Sequence, residues 1–199
     1  VGDIDGDGDL DIISGGANTG YLLWHENNGD GSGSWLNAEI STSSGGAASI
    51  ILEDLDLDGD LDIITNSQGS NKNIWYENDG VTNNPSYTQR DIGSTASSPN
   101  GLFVSDLDKD GDLDIVSSSG VGDKVQWFEN DGSATPGWST AKDITDSNGI
   151  NGVNEIFVAD LDKDGDDDII AVSASGPSSG SLTGQEIIWY ESDVASNND

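Results

Sequence analysis

The 199 residues carry 38 Asp and Glu against 6 Lys and Arg, a formal charge of −32, with 27 Gly and neither Cys nor Met. So acidic a balance excludes nucleic acid as a partner, because phosphate binding needs a basic face, and no apolar run approaches the roughly 20 residues of a membrane helix. Low hydrophobicity with high charge is also the composition of disorder, but twenty of the 38 acidic residues sit at equivalent positions of four loops, each flanked by strand-like apolar runs.

The chain enters at Val1-Gly2-Asp3, already inside the first loop, and reads as a portion of something longer with no signal peptide in view. After residues 3–11 come Ile12-Ile13-Ser14, a Gly/Asn turn, and the run Tyr21-Leu22-Leu23-Trp24-His25-Glu26. Asn27-Asn28-Gly29 is a turn by composition, since Gly and Asn accept positive φ, and residues 34–40 read as a further strand. The second repeat has the same order: a lead-in strand at 49–53, the loop at 54–62, strands at 61–65 and 73–77, the turn Asn78-Asp79-Gly80, and a strand at 86–92. The third places its lead-in at 102–105, its loop at 106–114 and later strands at 113–117, 125–129 and 137–144. The fourth has a lead-in at 155–159, a loop at 160–168, and strands at 168–172 and 186–191.

Each full repeat thus holds four short strands of ordinary length, and nowhere do apolar residues keep helical spacing long enough for a helix. The loops begin at Asp3, Asp54, Asp106 and Asp160, at intervals of 51, 52 and 54 residues. A period near 50 with four strands per repeat predicts an all-β fold, a β-propeller of about four blades of four antiparallel strands. The repeats run approximately over 1–46, 47–98, 99–151 and 152–199 of a single domain, the first without its lead-in strand and the fourth without its last. Four truncated blades are at the lower limit for a closed ring, so we expect part of a larger or assembled propeller, whose open edges would invite a protein partner or self-assembly.

Within each loop, positions 1, 3, 5, 7 and 9 are Asp and position 6 is Gly. The sets are Asp3, Asp5, Asp7, Asp9 and Asp11; Asp54, Asp56, Asp58, Asp60 and Asp62; Asp106, Asp108, Asp110, Asp112 and Asp114; and Asp160, Asp162, Asp164, Asp166 and Asp168. Alternate carboxylates on a tightly turning backbone converge on one point. Hard oxygen ligands without His or Cys indicate Ca²⁺, about four ions at one per repeat, with position 7 contributing its backbone carbonyl. An EF-hand would need a bidentate Glu at position 12, where Ser14, Thr65, Ser117 and Ala171 stand instead, and a helix where β-branched strand formers follow.

The loop, its strands and its period resemble the FG-GAP/VCBS-type calcium-binding repeats of integrin α-chain propellers and of fungal and bacterial propeller lectins. Gly101-Leu102-Phe103 and Ser118-Ser119-Gly120 stand where the Phe-Gly and Gly-Ala-Pro signatures would fall, which favours the VCBS-like branch. The resemblance implies that each loop joins the first two strands of a blade with Ca²⁺ bridging them. It also implies a secreted or cell-surface scaffold or adhesion module, with a glycan-binding propeller as the alternative. Extracellular location accords with sites of modest affinity, which cytosolic free calcium would not fill.

Trp24, Trp75, Trp127 and Trp189 recur in the third strand and are expected in the core between blades; Trp35, Tyr87 and Trp138 recur in the fourth, where they cover the outer edge or meet a sugar ring. Glu26, Glu77, Glu129 and Glu191 follow the third-strand aromatics and are expected to bind turn amides. His25, the one His, stands where other repeats have Tyr76, Phe128 and Tyr190, and reads as a strand residue. No nucleophile, base and orienting group occur together, so no enzyme is expected.

Overall fold

The computed structural model describes residues 1–16, 19–31, 33–95, 97–133, 135–145, 151–175 and 186–192. These form four antiparallel sheets whose strands follow chain order, and no helix occurs among the described residues. The first blade is β1 (Ile12–Gly15), β2 (Leu22–Asn27) and β3 (Trp35–Ser41). The second is β4 (Ala47–Glu53), β5 (Asp62–Ser67), β6 (Lys72–Asn78) and β7 (Tyr87–Ser94), and the third is β8 (Pro99–Ser105), β9 (Asp114–Ser119), β10 (Lys124–Phe128) and β11 (Lys142–Asp143). The fourth is β12 (Asn151–Ala159), β13 (Asp168–Ser175) and β14 (Glu186–Tyr190).

The expected phase is therefore present: three strands, four, four and three. A bridge between Gly2 and Asp11 is what the first blade has of a lead-in strand. The outer strand of the third blade is shorter than the 137–144 expected. It pairs only through Lys142 and Asp143, with an isolated bridge from Trp138 to Asn130. The Gly/Ser/Pro stretch of the fourth repeat at 176–185 and the chain end at 193–199 lie outside the described residues.

Alternation along each strand sends successive side chains to opposite faces of a blade, and both faces are apolar because blades stack face to face. Ile63, Ile74 and Tyr76 pack toward the first blade with Leu22. Their sequence neighbours Ile64 and Trp75 pack toward the third, with Leu55, Ile92, Leu102, Ile115 and Phe128. The same division recurs between the third and fourth blades, where Leu107, Val116 and Val125 meet Val153, Ile156 and Ile169. Burying each such side chain contributes roughly 1.5–3 kcal/mol, so the blades are held mainly by these interlayers.

Polar bonds tie the same neighbours together. The Asn100 carbonyl accepts from Ser49 Oγ at 2.7 Å and Asn66 Nδ2 at 2.8 Å in the preceding blade, and its side-chain oxygen accepts from Gln68 Nε2 at 2.8 Å. Asn100 Nδ2 donates onward to Asn154 Oδ1 at 3.3 Å, so one residue joins three blades.

Candidate metal centre

The second, third and fourth acidic loops connect a lead-in strand to the next strand of the blade, the first follows only the bridge at Gly2, and the sharp turn of each falls at the position-6 glycine. Gly8, Gly59, Gly111 and Gly165 have φ of 100°, 104°, 104° and 103°, open to glycine alone among common residues. Position 4 is also left-handed, and there Leu57, Lys109 and Lys163 carry side chains at φ 60°, 61° and 69° where the first loop has Gly6. Strain of that kind persists only where the surroundings over-determine the backbone.

The carboxylates divide into three jobs. The position-1 groups each accept the N–H of the position-6 glycine through Oδ2: Gly8 to Asp3 at 3.1 Å, Gly59 to Asp54 at 3.0 Å, Gly111 to Asp106 at 3.1 Å and Gly165 to Asp160 at 3.2 Å. The position-5 groups Asp7, Asp58, Asp110 and Asp164 each accept the N–H two residues on. In the first three loops the remaining oxygens of these residues converge with those of position 3. One oxygen from each of Asp3, Asp5 and Asp7 lies within 4.8 Å of the others, and the same holds for Asp54, Asp56 and Asp58, for Asp106, Asp108 and Asp110, and for Asp160, Asp162 and Asp168.

Position 9 stands apart from the cluster in the first three loops, and in the fourth Asp168 belongs to it as well as making the bonds described next. Asp11, Asp62, Asp114 and Asp168 are wholly buried and accept backbone N–H groups on both oxygens. Asp62 takes Leu55 N at 3.2 Å and Asn78 N at 2.8 Å; Asp114 takes Leu107 N at 3.2 Å and Asn130 N at 2.8 Å. The first and fourth loops repeat this through Ile4 and Asn27 and through Leu161 and Ser192. The position-9 carboxylate thus bolts the loop to the end of the third strand.

The position-7 side chains of Asp9, Asp60 and Asp112 lie against Gly29, Gly80 and Gly132 of the turn that follows, so closely that a Cβ at any of those glycines would collide with the carboxylate. The same glycines have φ of 64°, 65° and 64°. Their position in the repeats was legible as a turn, but the second reason for glycine was not.

Burial pushes the Asp62 carboxyl up to about 7, against the pull of the Asn78 N–H and the nearby Trp75 indole, and pushes Asp114 up to about 6 against Asn130 and Trp127. Asp5, Asp56 and Asp108 are raised as well, first by burial and then by the carboxylates of Asp7, Asp58 and Asp110. Oxygens on Asp5, Asp54, Asp56, Asp106 and Asp108 are buried with no hydrogen-bond partner. An acidic cluster with inward, unpaired oxygens is a poor fit to protons alone and a good fit to a hard cation. Ca²⁺ would be held by positions 1, 3 and 5 in the first three loops, with the position-7 carbonyl and a free lone pair of position 9 as the remaining oxygen donors, and by positions 1, 3 and 9 in the fourth.

Sequence reasoning passed over the asparagines of the turns. Asn27, Asn78 and Asn130 each donate through Nδ2 to the position-8 carbonyl, at 3.3, 3.0 and 3.2 Å, and each accepts the N–H of the turn glycine through Oδ1. The repeated Asn in an Asn-x-Gly turn was the available signal. The glutamates depart from expectation: Glu77 and Glu129 pair with Arg90 and Lys142 of the outer strand, and those cations lie over the Trp75 and Trp127 rings at 5.5 and 4.0 Å. His25 is a strand residue as expected, bonded to Ser14 Oγ at 2.7 Å and to Asn37.

Trp24 and Trp75 are buried and Trp127 is half-buried, but Trp189 is 48% exposed, against the core expectation, because among the described residues no blade packs on its face of the fourth blade. Of the outer aromatics, Trp35 is exposed and Tyr87 and Trp138 are half-buried against the interlayers.

The FG-GAP-like repeat model matches three overlapping stretches, residues 3–65, 54–117 and 106–171. Among curated proteins, none matches the chain. Among solved structures, the fold is similar to that of an Agrocybe aegerita lectin, described in terms of specific recognition of non-reducing terminal N-acetylglucosamine. The TM-score is 0.52 at 20% identity over 94% of this chain, which spans 50% of the lectin chain.

Proposed function

Since the chain belongs to the FG-GAP-like repeat family, we propose that it is a calcium-stabilised propeller scaffold, secreted or at the cell surface, that mediates protein interaction or assembly. The observation that carries the metal assignment is the set of buried, unpaired carboxylate oxygens on Asp5, Asp54, Asp56, Asp106 and Asp108. Two carboxylates about 4 Å apart repel by up to about 4 kcal/mol at an effective dielectric near 20, and a divalent ion turns that repulsion into attraction. When bound, the ion supplies charge neutralisation and cross-links the loop; the chain's own residues hold the ligands in place through the position-6 glycine and the position-9 clamp.

The role assigned to calcium is structural, and the reading includes no catalysis: the one His is engaged with Ser14 and Asn37, and there is no Cys. Isothermal calorimetry of the chelator-stripped protein tests it, with about four Ca²⁺ per chain expected; no heat of binding at millimolar Ca²⁺ would sink the assignment.

A second reading, a carbohydrate-binding propeller, is favoured by a hollow of about 360 Å³ beside Trp138, rimmed by Glu129, Asn130, Asp131 and Ser139. An aromatic face with carboxylate and amide groups at its rim suits a sugar ring, and the lectin of similar fold supports the same class of ligand. Selective, saturable binding on a glycan array would favour it, and no binding at millimolar sugar would remove it.

A further inference from the structure

The turn after the third strand differs in length between blades. The second blade has eight residues between Asn78 and Tyr87, whereas the third has seven between Asn130 and Trp138 and the first has seven between Asn27 and Trp35. The second and third turns close alike, Asp79 N donating to the Ser86 carbonyl at 3.1 Å and Asp131 N to that of Gly137 at 3.0 Å. The additional residue lies within the turn, and there the second blade reaches over its neighbour. Asn83, left-handed at φ 61°, donates its N–H to the Asp5 carbonyl at 3.1 Å. Asn78 Nδ2 donates to the Ile4 carbonyl at 2.9 Å, so two successive carbonyls of the first acidic loop are held from the second blade.

The first loop is shaped to receive this turn. Its position 4 is Gly6, where the other loops carry Leu57, Lys109 and Lys163, and a Cβ there would already touch Thr82 Oγ1 at 4.0 Å. Asp5, at position 3, is 3% exposed and keeps a buried, unpaired Oδ2, whereas its counterparts Asp56 and Asp108 are half-buried. Tyr87, opposite Asn78 in the strand pair, packs against Leu22 and Ile63 between the two blades, and its buried hydroxyl has no partner. Burial, and then the carboxylates of Asp11 and Asp5, push the pKa of that hydroxyl up.

The next interlayer has the same parts and stays open. Leu55, Asp56 and Leu57 of the second loop face Asn130, Ser133 and Pro136 of the third turn across a hollow of about 290 Å³. Among the described residues of that turn, none donates to the second loop: Asn130 Nδ2 reaches only the Leu113 carbonyl of its own blade.

We propose that the turn at residues 79–86 is a clasp over the first acidic loop, which makes that calcium site a joint property of two blades, with Asn83 and Tyr87 as positioning residues. The proposal deepens the calcium reading given above and rests on it. The Ile4 and Asp5 carbonyls belong to the two peptide groups that flank the Asp5 Cα, so fixing both fixes the direction of the Asp5 carboxylate. The Tyr87 hydroxyl offers the same carboxylates a buried donor. Release from the first loop then requires the inter-blade bonds to open, whereas the second loop empties into the hollow beside it.

The full calcium-loaded chain, mixed rapidly with excess fluorescent chelator, should lose one ion at least about tenfold more slowly than the ion of the second loop, because inter-blade bonds must break first. Asp5→Asn with Asp7→Asn should abolish the slow phase, and Asp56→Asn with Asp58→Asn should leave it in place. Deleting Asn83, which gives the second turn the length of the third, should merge the slow ion with the fast ones. Tyr87→Phe keeps the ring in the interlayer and should speed the slow ion while leaving the melting temperature in chelator unchanged. A purely structural role for the hydroxyl would do the opposite, and this variant decides the matter if the deletion does not fold. A single release rate for every ion, or a slow phase that survives both changes to the turn, would overturn the clasp and leave the calcium assignment standing. No calcium bound by calorimetry would overturn both.

Discussion

The side-chain amide of Asn78 donates to the carbonyl oxygen of Ile4, 74 residues earlier, at 2.9 Å, so a turn of the second blade holds the acidic loop of the first. The same amide reaches the Leu61 carbonyl, and Asn78 N donates to Asp62, which makes this residue common to two loops. Asn78→Ala would leave those carbonyls and the Gly80 N–H unsatisfied, at a cost of about 2–3 kcal/mol. In a chain of this size that corresponds to a melting temperature lower by roughly 4–12 °C. Calorimetry in saturating Ca²⁺ checks it, and an unchanged melting temperature would remove Asn78 from the role of inter-blade tie.

Removing charge from one loop should act in opposite directions with and without metal. Asp56→Asn combined with Asp58→Asn deletes two of the inward ligands of the second loop. With free Ca²⁺ a hundredfold above Kd, a lost site costs about 2.7 kcal/mol, so the melting temperature should fall. In excess chelator the same variant should melt higher than the unaltered chain, because the repulsion it removes is no longer offset. A fall in both conditions would mean that these side chains serve packing and not a metal.

The pH dependence has a defined sign. Asp62 and Asp114 titrate near 7 and 6 in the folded chain because burial disfavours their charge. Between about pH 4 and pH 7 the native state therefore keeps protons that the unfolded chain has lost, and metal-free stability falls as pH rises through that window. Asp79 and Asp131, held low by Ser86 and Ser133, act only below about pH 4. The expected result is a chelated protein that melts higher at pH 5 than at pH 7.5, with the order reversed in calcium, because the metal requires carboxylates. Two melting curves at each pH decide it.

Gly80 is constrained twice, by φ of 65° and by the Asp60 carboxylate against its Cα. Gly80→Ala should cost about 1–2 kcal/mol from the left-handed backbone alone, and more from the displaced side chain. Adding Asp60→Ala should recover the second part and not the first. Since the position-7 side chain is not among the assigned ligands, the double variant should bind as many calcium ions as the unaltered chain. Urea unfolding and calorimetry read the two effects separately.

Trp75 and Trp189 occupy the same position in their repeats, and their substitutions should differ sharply. Trp75→Ala empties a fully buried site and should cost about 3–5 kcal/mol. Trp189→Ala should cost less than about 1 kcal/mol, because its ring is 48% exposed. Equal losses in urea titrations would mean that the fourth blade is covered within one chain.

Much of this molecule was legible because its information is periodic. Residues that recur at fixed offsets, Asp at alternate loop positions and paired apolar residues after them, specify a strand, a turn and an acidic loop through local physics. Fourfold repetition then separates that signal from chance. The strand order, the three-four-four-three count and the convergence of positions 1, 3 and 5 in the first three loops follow from that local reading; in the fourth loop Asp168 at position 9 joins positions 1 and 3 instead of Asp164.

What only the tertiary structure decided lies in differences between residues that look alike. Asp58 and Asp62 are both loop aspartates, but the first is exposed in an inward-aimed cluster and the second is a buried clamp on two backbone amides. Leu107 and Leu161, or Trp75 and Trp189, share a repeat position and differ in burial by 40 percentage points or more. The physical reason is that a side chain's local conformation depends on its own strand and turn, whereas its burial depends on whether another blade packs against it, and the repeat pattern is the same in either case.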